Sequence, residues 1–331
     1  MRLCRVCISF AVVSAFAASP QQPYLAVIEK VAGAVAFYSE DGRELARVKV
    51  GSFPHEAALS PDGRRLYVSD NGVLWMTEDS LGANTISVLD VASMKKLFAI
   101  NLGRFHRPHG IATLGERLLA TTERPFGLIL VDPERRAVLR DFDVKGKSPH
   151  MVMPSPDGRR AFVSDSDSDC LAAIDLESGD VKTVPTGAHP QGGVWSPDGK
   201  RLYITATNAN RIDIIDPVRL AVTGSIPTGK GPARIAVTPD GKTLVYNLQF
   251  EPAVGFADTA TGRQIAVVPV AGRPLSLTMT PDGRRAFAGL QEIDKLVFLS
   301  VPDRKVERVL DLPAGSGPDP AIPLHSPGGS R

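Results

Sequence analysis

The stretch SPDGRRLYVSD, residues 60–70, is written again as SPDGRRAFVSD (155–165), SPDGKRLYIT (196–205), TPDGKTLVYN (238–247) and TPDGRRAFAGL (280–290). A sixth copy, LGERLLATT (114–122), has lost the Pro and the Asp but keeps Gly115. The glycines at 63, 115, 158, 199, 241 and 283 follow one another at intervals of 52, 43, 41, 42 and 42 residues. A fixed period of that size marks a repeat architecture. In each copy Pro presets φ for a turn, Asp bonds the backbone that follows, and Gly supplies positive φ. The repeat at 188–229 contains four short runs, QGGVWS, KRLYIT, NRIDIID and AVTGSIP. Within them β-branched and aromatic residues alternate with polar ones, as half-buried strands require. Four strands in a repeat of about forty residues is the propeller-blade pattern.

The two ends complete the ring. Residues 24–51 hold only three runs, YLAVIEK, AVAFYSE and RELARVKV, so the first blade lacks its innermost strand. The tail GPDPAIPL (317–324) opens like the innermost segments SFPHEAAL and KGPARIAV, and is expected to fill that place. The expected fold is therefore all-β: a seven-bladed β-propeller of four-stranded blades, closed by a C-terminal tail strand pairing with the first blade. It occupies residues 20–324 as a single domain, with 325–331 as a short disordered tail.

Composition agrees with a globular chain, at 43% hydrophobic and 22% charged residues among 331. Arg2 and Arg5, the apolar run Ile8 to Phe16 and the small-residue site Ala15-Phe16-Ala17 read as a secretory signal over 1–17. Export to the periplasm or beyond is expected, with no membrane span, since the apolar run is too short for one. Cleavage removes Cys4 and Cys7 and leaves Cys170 without a partner for an internal disulfide. It also brings the formal charge of +2 to about zero, which argues against a nucleic-acid partner. A monomer is expected.

LYVSD followed by NTISVLDV, and LYIT followed by RIDIIDP, resemble the YVTN-repeat propellers, the YncE-like family of secreted bacterial proteins. The resemblance runs over nearly the whole mature chain and implies the seven-bladed fold. Propellers of similar shape serve as dehydrogenase subunits, haem-binding domains, lactonases and antibiotic lyases. The resemblance selects none of these activities, because its residues are the ones that build blades.

The chemistry gathers at one position. Just after the Pro that opens each innermost strand come His55, His109, His150, Gln191, Ala233, Leu275 and Asp319. Glu56 follows His55, Arg234 follows Ala233, and His106 and His189 lie close by. Antiparallel alternation puts all these positions at one mouth of the central channel. Blade architecture alone does not ask for three histidines in consecutive repeats. One reading makes His55, His109 and His150 ligands to a divalent metal, the one cofactor this pattern suggests, with Glu56 or Asp319 as carboxylate. The other makes them solvated rim histidines bonding backbone groups. A catalytic use would draw on Glu56, His109 and His150, with Arg234 orienting an anion. Gln191, Asp319 and Trp75 complete the ligand-binding candidates.

The repeat at 52–103 carries about ten extra residues in NGVLWMTEDSLGA (71–83), on the histidine face. There Trp75 and Met76 form either a wall beside the mouth or a local cluster on their own blade. SDSDSD (164–169) lacks the glycine and distal glutamate of a calcium loop and reads as a solvated turn. No nucleophile elbow, phosphate loop or nicotinamide fingerprint is present in the sequence. The expected function is binding of a small polar molecule, metal or protein partner at the mouth. The alternative is a metal-assisted, lactonase-like hydrolase or lyase.

Overall fold

The computed structural model describes residues 22–324. The secretory signal expected over 1–17 and the tail 325–331 lie outside the described residues. Seven four-stranded antiparallel sheets follow one another in chain order around a ring. The first blade takes its innermost strand, Pro318–Pro323, from the other end of the chain, where it pairs with Leu25–Glu29. Leu25 faces Pro323 and Val27 faces Ala321, and the Leu324 amide donates to the Tyr24 carbonyl. The expected closure is thus what the fold uses.

The recurrent PDG segment is a turn that satisfies itself. Ser60 Oγ donates to Asp62 Oδ1 at 2.6 Å, the Arg64 amide donates to the same oxygen at 3.0 Å, and Gly63 sits at φ 70°. The same bonds recur at Ser155–Asp157, Ser196–Asp198, Thr238–Asp240 and Thr280–Asp282. These turns lie on the face opposite the histidines, where charge is paired, as in Arg65 with Glu134.

The hydrophobic core is divided among the gaps between blades. One cluster joins Tyr67, Ile86 and Val88 of the second blade to Ile111, Leu118 and Ile129 of the third. Corresponding clusters occupy the other six gaps. This corrects the expected alternation. Leu25–Glu29 and Ala34–Tyr38 are buried at every residue, whereas the outermost Lys305–Asp311 alternates strictly between exposed and half-buried. Neighbouring blades cover both faces of the middle strands, while the outermost strand has a wet side and the innermost strands are half-buried where they line the channel.

Candidate functional site

Hydroxyl groups on second strands tie one blade to the next, and in the seventh blade Ser276 on the innermost strand Ser276–Met279 does the same. Ser69 Oγ donates to the His109 carbonyl (2.8 Å), Thr121 Oγ1 to the His150 carbonyl (2.7 Å) and Ser164 Oγ to the Gln191 carbonyl (2.6 Å). Thr205 does the same for Ala233, and Ser276 for Asp319. The backbone of nearly every channel-mouth residue is thereby held by its neighbour. The residue before the opening proline is often left-handed: Gly231 and Gly317 accept this readily, while Phe53, Arg107 and His189 adopt it at φ 43°, 54° and 58°. Such strain in non-glycine residues tends to persist where the surroundings over-determine a site.

The expected residues do meet. His55, His109, His150, Gln191, Arg234 and Asp319 all line one channel cavity of about 140 Å³. The imidazoles of His55 and His109 lie 4.1 Å apart between centroids, and those of His109 and His150 4.3 Å apart. His109 and His150 are 1% and 4% exposed, so the reading as solvated rim histidines is corrected.

The metal reading gains no arranged ligand set from these positions. The His55 and His109 rings meet edge to face at 67°, those of His109 and His150 are tilted at 48°, and two of the three contact carboxylates through Nδ1. His55 Nδ1 contacts Asp319, and His109 Nδ1 lies 2.8 Å from Glu123 Oε1. Among the described residues no group of three or more His, Cys, Asp or Glu side chains is arranged to hold a metal ion.

What the fold assembles is a buried network of charges and neutral imidazoles. Burial depresses the pKa of all three histidines well below the ordinary value, and the cations Lys30 and Arg234 depress those of His55 and His109 further. Neutral His109, donating through Nδ1 to the Glu123 carboxylate, presents a bare Nε2. That Nε2 and His150 Nδ1 are buried and have no partner among the described residues. Arg234 crosses the channel from the sixth blade to the second, with Nε 3.0 Å and Nη2 2.6 Å from Glu56 Oε1. Burial raises the carboxyl pKa of both Glu56 and Asp319, while Arg234 and Lys30 pull them back. Lys30 Nζ stands 3.2 Å from His55 Nδ1 and 3.6 Å from Asp319 Oδ2, with its own pKa lowered by burial.

Several members were not foreseen from the sequence: Lys30, Glu123, Arg107, Gln249 and Gln291. For all but Arg107 the signal is one repeat position at the end of each second strand, which reads Lys30, Asn71, Glu123, Ser166, Thr207, Gln249 and Gln291 around the ring. It is polar in every blade. In three blades it caps the next proline carbonyl, from Asn71 to Pro108, Ser166 to Pro190 and Thr207 to Pro232. Elsewhere the longer Lys30, Gln249 and Gln291 reach the cavity itself.

The insertion 71–83 lies over the mouth. Trp75 and Met76 line the channel cavity instead of clustering on their own blade. Arg107 is the anchor: its Nη1 donates to the Glu78 carbonyl (3.0 Å), and its Nη2 donates to the Met76 carbonyl and pairs with Glu123, both at 2.8 Å. Gly82 is required here, since a Cβ would stand 2.4 Å from Arg107 Cγ. In SDSDSD the solvated reading fails at Asp165, which is fully buried and accepts from the amides of Lys147 (3.1 Å) and Ser148 (3.2 and 3.1 Å).

Compared with known proteins, the chain matches no family model and no curated protein. Membership of the YVTN-repeat family therefore has no family match behind it. Solved structures do match. A protein of unknown function from Desulfotomaculum acetoxidans superposes with a TM-score of 0.78 at 13% identity, covering 92% of this chain and 99% of the other. The periplasmic gluconolactonase of Pseudomonas aeruginosa gives 0.72 at 18% identity over 91% and 98% of the two chains. A dihydro-haem d1 dehydrogenase gives 0.65 at 16% identity, covering 92% of this chain and 67% of that one. At these identities the likeness establishes the seven-bladed propeller fold and nothing of the activity.

Proposed function

We propose that this protein is an exported, monomeric propeller that binds a small hydroxylated organic molecule in its channel mouth. The observation that carries the reading is the pair of buried nitrogens, His109 Nε2 and His150 Nδ1, left without partners beside a polar cavity. Unsatisfied buried polar atoms cost about 1–3 kcal/mol each, so a bound group that pairs with them is favoured. Lys30, Gln191, Gln249 and Gln291 add donors to the same cavity, and His109 Nε2 is an acceptor. A hydroxyl group, donor and acceptor at once, suits this mixture. Export rests on the signal-like residues 1–17. Among the described residues no helix is long and apolar enough to cross a membrane.

Isothermal titration with gluconate, glycerate and glucono-δ-lactone tests the reading. Saturable heat with at least one of them, lost in His150→Leu and His109→Leu proteins that remain folded, is the expected result. No saturable heat from any of the three removes it.

A hydrolytic second reading has its own observation. Glu123 orients His109 so that Nε2 can take a proton from water, as a carboxylate-held imidazole base does. That water oxygen would bond to a lactone carbonyl carbon while the ring C–O bond breaks, with the proton returned to the leaving alkoxide. Lys30 and Arg234 would face the developing oxyanion. Acid release from glucono-δ-lactone, followed by indicator dye, should then fall at least a hundredfold in His109→Gln. Equal rates in both proteins leave only binding.

A further inference from the structure

Beside the channel mouth, and on the same face, lies a larger cleft of about 1070 Å³. It sits between the insertion 71–83, the Arg124–Phe126 turn and the 147–148 and 167 segments of the fourth blade. The channel mechanism uses none of its outer wall. That wall is apolar where a surface ordinarily is not: Trp75, Met76, Leu81 and Phe126 are 46%, 38%, 59% and 50% exposed. Four large apolar side chains converging on one concavity are the mark of a ligand site.

The polar lining has a sign. Arg104, Arg107, Arg124 and Lys147 face the cleft against the acids Glu123 and Asp167. Glu123 is already taken by Arg107 and His109. Lys147 Nζ has no ion-pair partner among the described residues, and Arg124 is held only by the fully exposed Asp79 at 3.1 Å. Arg107, 2% exposed, lines the cleft with an Nε that has no partner among the described residues. An apolar wall of aromatic character beside cations with unused donors calls for one kind of occupant.

We propose that this cleft is a second binding site, for a small aromatic carboxylic acid, adjacent to and separate from the channel cavity. The ring would lie along Trp75 and Phe126, and the carboxylate would pair with Lys147 and Arg124. Trp75 and Met76 line both spaces and form the partition between them.

The test exploits the two tryptophans of the chain. Trp195 lies at the far end of its strand, against Phe162 on the opposite face. A Trp195→Phe protein therefore reports on Trp75 alone. Titration with 4-phenylbutyrate should change its emission saturably, with 4-phenylbutan-1-ol and butyrate each at least tenfold weaker. Adding Arg124→Ala and Lys147→Ala, both exposed and safe for folding, should weaken 4-phenylbutyrate about tenfold and leave the alcohol unchanged. Adding His150→Asn, which alters the channel cavity alone, should change nothing.

Three results would overturn the proposal. They are no saturable response, equal affinity for acid and alcohol, or loss of 4-phenylbutyrate binding in the His150→Asn background. The last would mean that Trp75 reports on the channel.

Discussion

The bond between Glu56 and Arg234 shows how much one residue can carry in a channel. Both side chains are about nine-tenths buried, and they belong to blades that are not neighbours. Removing one partner leaves a buried charge uncompensated, which typically costs about 3–5 kcal/mol. Glu56→Ala should therefore lower unfolding free energy by about that amount in urea titrations. The paired change Glu56→Leu with Arg234→Met should recover most of it, since a buried ion pair and a packed apolar pair are often near equivalent. If the single change costs under about 1 kcal/mol, the two side chains are not held together across the channel. His109 shows the complementary point. Its bond to Glu123 decides which nitrogen stays free, and so what it can offer a ligand.

Among the elements, the tail strand Pro318–Pro323 has two duties. It supplies the innermost edge of the first blade, and it delivers Asp319 to His55 and Lys30. Its other side packs on the seventh blade, where Ser276 donates to the Asp319 carbonyl at 2.6 Å. A chain ending at Ser316 exposes the edge of Leu25–Glu29 and opens the cluster of Tyr24, Val27 and Phe287. Its melting temperature should fall by more than 10 °C, or it should fail to fold, whereas a chain ending at Leu324 should melt within a degree or two of the full chain. Differential scanning calorimetry of the two truncations decides this, and equal melting would remove the clasp.

For the whole molecule the buried imidazoles set a pH dependence. The folded pKa values of His55, His109 and His150 lie well below 6.5, so the unfolded chain takes up protons first as pH falls. Their contribution to stability is full above that value and is lost on acidification. The raised carboxyls of Glu56, Asp319 and Glu123 act in the opposite direction, gaining protons in the folded state first. Among the described residues His150 pairs with no carboxylate, so it isolates the first effect. The stability advantage of the parent over His150→Gln should shrink by about 1.4 kcal/mol for each pH unit well below 6.5. Urea unfolding of both proteins at pH 7.5 and 5.5 measures it. A constant difference would mean that His150 takes up its proton as readily in the fold as in the unfolded chain.

The sequence by itself determined the architecture. Repeated SPDG turns, short strands of even spacing and an incomplete first blade are local features, and local chemistry fixes them wherever the chain goes. It also determined that His55, His109, His150, Gln191 and Asp319 share a position, because a repeat converts distance along the chain into angle around a ring. Tertiary structure alone decided what those side chains do on arrival. It decided that His55 and His109 meet carboxylates through Nδ1 and that the three rings pack edge to face and tilted, since the angle of a ring depends on neighbours from other blades. The contributions of Lys30 and Glu123 come from the adjacent strand, where a polar residue in every blade hides which ones reach the centre. In the sequence Arg107 is one arginine among many; only the insertion folding back over it makes it the buried anchor of the mouth. Electrostatic roles depend on burial and on distances of a few ångströms between remote residues, and no run of the sequence records those.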